Sequence, residues 1–138
     1  MSAIISVTCA IIEQEGRVLA AQRARHRAQG GLWEFPGGKI HPGESAEACI
    51  RREIAEELGA AIHIVARLPA CIYHYPKQSV RLIPFVCVPV KCADFQAIEH
   101  EQIRWCTDEE LSELAWCPAD ISVLQQYRAW KFADKKPD

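Results

Sequence analysis

No apolar run in this sequence approaches the roughly 18 residues that a membrane-crossing helix needs. The best candidate, residues 80–90, is short and is interrupted by Arg81, Pro84 and Pro89. Positive charge is not in excess either. The net charge is -2, so no global basic field argues for a nucleic-acid polymer or a membrane surface as partner. A small anionic ligand would need a local device instead, such as a metal ion or a few placed cations. Residues 1–5 hold no basic segment and no small-residue cleavage site, so no secretory leader is expected. No two cysteines are spaced C-x-x-C, and no His or Cys pair has zinc-ligand spacing. The seven cysteines, Cys9, Cys49, Cys71, Cys87, Cys92, Cys106 and Cys117, are odd in number and mostly sit among apolar neighbours. They read as small buried hydrophobes in a reducing cytoplasm. Internal repeats and low-complexity stretches are missing as well.

The 138 residues are 49% apolar and 25% charged, which fits one globular domain over residues 1–133, with 134–138 polar enough to fray. Residues 4–12 are β-branched and apolar and predict a buried strand. A turn over 13–16 leads into a second hairpin arm over 17–22. Residues 23–31 are polar, basic and end in glycine, which predicts a loop. Residues 32–35 predict a short strand stopped by Pro36-Gly37-Gly38, and 39–44 a loop around Pro42-Gly43. Ser45 is a candidate N-cap and Gly59 a candidate C′ residue, so 46–58 is the clearest helix. Strand-like runs follow at 62–75, 80–90 and 103–106, and helical ones at 108–114 and 119–132. This interleaving predicts an α/β fold, a mixed β-sheet flanked by helices.

The 46–58 helix carries too many carboxylates on one side. On a wheel of about 100° per residue, Ile50, Ile54 and Leu58 form one apolar stripe. Glu53 and Glu57 fall immediately beside it, and Glu56 continues the acidic arc. A like-charge pair one turn apart destabilises even an exposed helix by a few tenths of a kcal/mol. Beside an apolar stripe the repulsion is less screened, and Glu57 also lies near the helix end where negative charge is disfavoured. Only Glu56 has an obvious partner, Arg52. A bound divalent cation would relieve the clash, and oxygen-only ligands suit a hard ion, Mg²⁺ with Mn²⁺ as a possible substitute. The Phe35-Pro36-Gly37-Gly38 turn before the helix lets backbone approach a ligand closely. The five histidines, His26, His41, His63, His74 and His100, show no constellation. Trp33, Tyr73, Tyr75 and Phe85 are candidates to stack a base or to fill the core.

Gly38, five residues, Glu44, seven residues, then Arg52-Glu53-Ile54-Ala55-Glu56-Glu57-Leu58-Gly59-Ala60 resembles the Nudix box. That signature reads G, five residues, E, seven residues, R-E-U-x-E-E-x-G-U, with U a bulky aliphatic. Ala60 at the last U is the one departure, and it touches packing rather than chemistry. Leu32-Trp33-Glu34-Phe35-Pro36-Gly37-Gly38-Lys39, Ala21-Gln22-Arg23, Glu99-His100-Glu101 and Cys117-Pro118-Ala119-Asp120-Ile121 are similar to the MutT-like branch. Within that branch the parts over residues 99–105 and 118–121 most resemble CTP pyrophosphohydrolases, with 8-oxo-dGTP diphosphatases close behind.

The resemblance implies the Nudix fold, an α/β/α sandwich on a mixed sheet. It implies an Mg²⁺-dependent hydrolase that splits a nucleoside triphosphate into a monophosphate and pyrophosphate. Glu53, Glu56 and Glu57 would be metal ligands, helped by the Gly37 carbonyl. Arg52 would orient the carboxylates, and Glu99 would bind or activate water. Arg23 and Lys39 would contact phosphates, and Asp120, Glu34 and Phe35 would meet the base. Gly38, Glu44 and Gly59 would support the box. Asp120 stands where the branch often has Asn, and an ionised Asp only accepts hydrogen bonds, which suits the N4 amino group of cytosine. Its plainer reading is a cap on a helix starting near Ile121. Two rivals remain: a nucleotide-binding module without turnover, and a hydrolase for dinucleoside diphosphates such as ADP-ribose.

Overall fold

Cys9 and Ile11 pack into one hydrophobic cluster while Ala10 and Ile12, between and beyond them, pack into another, and all four are buried. That period-two split places the strand β1 (Ile4–Gln14) at the middle of a sheet covered on both faces. A computed structural model describes residues 3–91 and 94–133 of the chain. Cys92 and the 134–138 tail, read above as a buried hydrophobe and a frayed end, lie outside the described residues.

Among the described residues there are eight strands and three α-helices. After β1 come β2 (Arg17–Gln22), β3 (Trp33–Glu34), β4 (Gly37–Lys39), α1 (Ala46–Leu58), β5 (Ile62–Arg67), β6 (Cys71–His74), β7 (Ser79–Pro89), β8 (Gln102–Cys106), α2 (Asp108–Glu113) and α3 (Pro118–Lys131). The sheet runs β3-β2-β1-β7-β5, with β4 beside β1, β6 beside β7 and β8 beside β2. β1 and β7 are parallel, from Ile4↔Ser79 to Ile12↔Cys87, and the other strand pairs are antiparallel, so the sheet is mixed.

One face is covered by α1, whose Ile50, Ile54 and Leu58 are fully buried against Ala10, Ile12, Leu19 and Phe85. The other is covered by α2 and α3 through Leu111, Val123, Leu124 and Tyr127. This is the expected α/β/α sandwich. Truncating any member of the α1 ladder to Ala would cost about 2–5 kcal/mol. No helix among the described residues is long and apolar enough to cross a membrane. Phe85 is a core residue at 0% exposure, not a base-stacking surface.

The structure corrects the reading around the diglycine. Gly37–Lys39 is not merely a turn followed by a loop. It forms β4, paired antiparallel to β1 through Cys9↔Gly37 and Thr8↔Gly38. Glycine-rich composition hides a strand from pattern reading, yet here the lack of side chains is what permits the pairing. A β-carbon on Gly37 would overlap the Thr8 carbonyl.

Candidate active site

Two caps set the ends of α1. The Ser45 hydroxyl accepts the Ala48 N–H at 3.0 Å, and Gly59 turns the chain at φ 66° with its N–H on the Ala55 carbonyl. Between them Glu53, Glu56 and Glu57 sit on one side, as the wheel requires. Glu57 is 6% exposed although it is charged in water, and Glu56 is on the surface. One Glu57 carboxylate oxygen is buried with no hydrogen-bond partner. Burial above all, then the Glu53 carboxyl within hydrogen-bonding reach, pushes the Glu57 pKa up to about 10. Gly38 lies directly against Glu53, where a β-carbon would overlap the carboxylate.

Arg52 is the hub of this arc, and Glu56 is not its main partner. Its Nε and Nη2 donate to the two oxygens of Glu44 at 2.7 and 2.9 Å, a bidentate grip. Nη1 reaches Glu53 at 2.9 Å and Glu56 at 3.3 Å. Glu44 also accepts the His41 N–H at 3.0 Å, so it ties the loop to the helix. Arg52 hydrogen bonds and that backbone N–H hold the Glu44 carboxyl down at about 2, and Glu44 in turn holds Arg52 above the usual arginine range.

Across the cavity, β3 contributes Glu34. Arg23 Nη1 donates to one of its oxygens at 2.8 Å, and His100 Nε2 lies 2.9 Å from the other. Burial raises the Glu34 pKa, but the His100 hydrogen bond and the Arg23 charge outweigh it, and the net direction is downward. His100, dismissed above as part of no constellation, is 4% exposed and also lies 3.6 Å from Glu57. The signal for it was its place next to Glu99, since no spacing rule joins residues so far apart in the chain.

Asp120 does not cap a helix beginning near Ile121. The helix starts at Pro118, Cys117 makes no side-chain cap, and Asp120 is buried inside the first turn. One carboxylate oxygen accepts the Phe35 N–H at 2.9 Å. Burial, then Glu34, pushes its pKa well above the ordinary carboxylate range.

These groups line one cavity of about 580 Å³. Arg23, Glu34, Phe35, Gly37, Gly38, Lys39, Glu53, Glu56, Glu57, Glu99 and Asp120 all face it. Arg52, Glu44 and Gly59 are not among the residues that line it. Arg27, His41 and Tyr75 also line it and were not singled out for it, except Tyr75 as a stacking candidate. The Tyr75 hydroxyl accepts the Ala119 N–H at 3.2 Å and lies 3.4 Å from Gln29. Trp33 is buried in the core cluster, at 8% exposure. An orphaned, buried carboxylate oxygen beside a second carboxylate fits a divalent cation: the donor set is hard oxygen, and a charge of +2 would offset the repulsion.

Comparison with known proteins adds an independent line. A family profile described as "NUDIX domain" matches residues 3–135. The CTP pyrophosphohydrolase of Escherichia coli (strain K12) is 38% identical over 132 residues, covering 94% of this chain and 96% of that protein. The 8-oxo-dGTP diphosphatase of Proteus vulgaris is 33% identical over 76 residues, covering 55% of this chain and 68% of that protein. Among solved structures, the E. coli ORF135 protein superposes with a TM-score of 0.83 at 33% identity, covering 99% of this chain and 96% of that one. The MutT protein from Methanosarcina mazei Go1 gives 0.83 at 26% identity, covering 98% of each chain.

Proposed function

Because this chain belongs to the Nudix family, we propose that it hydrolyses a nucleoside triphosphate to a nucleoside monophosphate and pyrophosphate, with Mg²⁺ as cofactor. The observation that carries this reading is Glu57: a carboxylate at 6% exposure, with one oxygen unpartnered, beside Glu53 on the wall of the cavity. Glu53, Glu56 and Glu57, with the Gly37 carbonyl, would hold the ion, and Mn²⁺ can substitute. When bound, the divalent cation withdraws charge from the phosphate oxygens and acidifies water.

The remaining work belongs to the chain. Arg52 keeps Glu53 and Glu56 turned inward while Glu44 anchors Arg52. Glu99, on the loop between β7 and β8, takes the proton of the water that attacks the β-phosphorus. The bond from that phosphorus to the oxygen of the α-phosphate breaks, so the added oxygen leaves in pyrophosphate. Lys39 is exposed at the cavity and meets the phosphates directly. Arg23 has its Nη1 on Glu34 and its Nε on the Ala28 carbonyl, so it offers the phosphates only its remaining donors. Positioning and electrostatics of this kind supply most of the rate in phosphoryl transfer.

Asp120, Glu34 and Phe35 form the end of the cavity suited to the base. With Phe35 bound to one Asp120 oxygen, the other is left to accept from a cytosine amino group, and the substrate reading leans to CTP and modified cytosine nucleotides. A second reading, 8-oxo-dGTP, is favoured by one observation. Burial and Glu34 raise the Asp120 pKa, and a protonated carboxyl can donate to the O6 of an oxidised guanine. A binding module without turnover is disfavoured by the complete set of box glutamates. The test is turnover of a panel of nucleoside triphosphates and ADP-ribose in ¹⁸O water, with Mg²⁺ and with EDTA. Label in pyrophosphate, lost in EDTA, supports the reading. Orthophosphate with a nucleoside diphosphate, faster turnover of ADP-ribose than of any triphosphate, or turnover unaffected by EDTA, overturns it.

A further inference from the structure

The loop that brings Glu99 to the cavity needs a reason to stay there. It contains no helix or strand over residues 94–101. Its backbone is pinned by Gln96 N–H on Leu58 O at 3.0 Å, Ile98 N–H on Glu57 O at 3.2 Å and Glu101 N–H on Gln22 O at 2.9 Å. Ile98 itself is 55% exposed, so apolar burial does not hold that part of the loop. Next to Glu99, however, the His100 imidazole is driven inward to 4% exposure. It enters between two carboxylates from different elements, Glu34 of β3 at 2.9 Å and Glu57 of α1 at 3.6 Å.

We propose that His100 is a positioning residue: its Nε2–H, donated to Glu34 and packed against Glu57, would keep Glu57 turned toward the proposed cation site and seats Glu99 at the cavity. The inference rests on the proposed function for its chemistry. Nδ1 is buried and has no hydrogen-bond partner, so the neutral ring carries its proton on Nε2, where both acceptors are. Ligand atoms of Glu34, Glu57 and His100 lie within 4.8 Å of one another. Without the imidazole between them, the Glu34 and Glu57 carboxyl groups would face each other directly, with Arg23 on Glu34 alone. Among the described residues no Lys or Arg lies against Glu57, and its second oxygen is unpartnered. The N–H therefore fixes the Glu34 rotamer by a hydrogen bond and the ring limits that of Glu57 by contact, from the residue after the proposed proton acceptor. Removing the imidazole takes a donor from Glu34, a neighbour from Glu57, and the inward side-chain anchor next to Glu99.

A buried histidine that only fills space would behave differently under substitution. In glutamine the side-chain amide nitrogen reaches about where Nε2 lies, and in asparagine about where Nδ1 lies. The experiment uses full-length His100→Leu, His100→Gln and His100→Asn, each checked by thermal unfolding. Turnover is measured with the best nucleotide of the panel, and Mn²⁺ affinity by paramagnetic resonance without nucleotide. His100→Leu should lower kcat and weaken Mn²⁺ binding about 10–100-fold, the scale of losing a partner that orients a metal ligand, with KM little changed. His100→Gln should restore both, and His100→Asn should not. In a Glu34→Gln background the loss from His100→Leu should shrink, because the two act through one link. Wild-type kcat and Mn²⁺ affinity in His100→Leu would overturn the proposal. So would a parallel fall in all three variants that tracks their unfolding temperatures. If His100→Leu does not fold, the Gln and Asn variants decide alone, and equal values for the two overturn it. Should the wild type release pyrophosphate from no nucleotide, the functional reading fails, and the Mn²⁺ arm still judges His100.

Discussion

Glu57→Gln should make the metal-free protein more stable and nearly inactive. The residue is 6% exposed, next to Glu53, with its pKa raised from 4.5 to about 10 by burial and by that neighbour. At pH 7 in EDTA, folding therefore takes a proton from water onto a group that is ionised when unfolded. The penalty grows with each pH unit between the unfolded pKa and the solution pH. From 4.5 to 7, at about 1.4 kcal/mol per unit, it comes to about 3 kcal/mol. The sign follows from the raised value: Glu57 does no harm below pH 4.5, and stability falls as pH rises from there toward 10. Gln keeps the shape, carries no charge and can donate to Glu53, so it should recover most of the loss. Urea denaturation in EDTA at pH 5, 7 and 9 measures this. Wild type should weaken steadily along that series and Glu57→Gln should be flatter. With saturating Mg²⁺ the order should reverse, since wild type gains more from the ion than a variant lacking one ligand. The kcat of Glu57→Gln should be lower than wild type by orders of magnitude. A variant less stable than wild type in EDTA at pH 9, or one with full activity, would refute the reasoning.

Gly38→Ala places a β-carbon in the Glu53 carboxylate and should cut kcat about a hundredfold while far-ultraviolet circular dichroism stays native; unchanged turnover would show that Glu53 can move freely. Arg52→Gln releases Glu44, which is held at about 2, so the wild-type loss of stability as pH falls from 4.5 toward 2 should flatten in the variant, read by acid titration of tryptophan fluorescence. Asp120→Asn should shift the ratio of kcat/KM for CTP to that for 8-oxo-dGTP by roughly tenfold or more, the scale of one mispaired polar group in a pocket. An equal change for both nucleotides would mean that Asp120 only holds Phe35.

Much of the site was legible because helix periodicity is local. Ser45, Gly59 and the four-residue spacing of Ile50, Ile54 and Leu58 were enough to place α1 and to show Glu53 and Glu57 beside the buried stripe. The hairpin and the arms near β7 and β8 followed from runs of apolar residues in the same way. What stayed hidden depends on contacts across the chain. β4 was unreadable because two of its three residues are glycine, and its pairing with β1 is tertiary. Arg52 was matched to Glu56 one turn away, since a wheel cannot show that Glu44, off the helix, offers two oxygens. Asp120 looked like a cap from its position near a helix start, and only the fold brings the Phe35 N–H to it. The contacts of His100 were hidden for the same reason: its partners come from β3 and from the end of α1.

The parallel pairing of β1 and β7 has a consequence for how the chain comes to its fold. β1 leaves the ribosome well before its long central partner, from Ser79 to Cys87, is made. Until then β1 can pair with β2 only near Glu13 and Gln14, and with β4 near Thr8, so its apolar middle has one free edge. Closing that distance is a large loop entropy to overcome before any of its contacts form. The cavity is built against this strand, through Thr8, Cys9 and the glycines paired to them. The helix that carries the glutamates can therefore exist early as a helix, while the cleft it serves cannot appear until residues near 87 have been synthesised and the two strands have met.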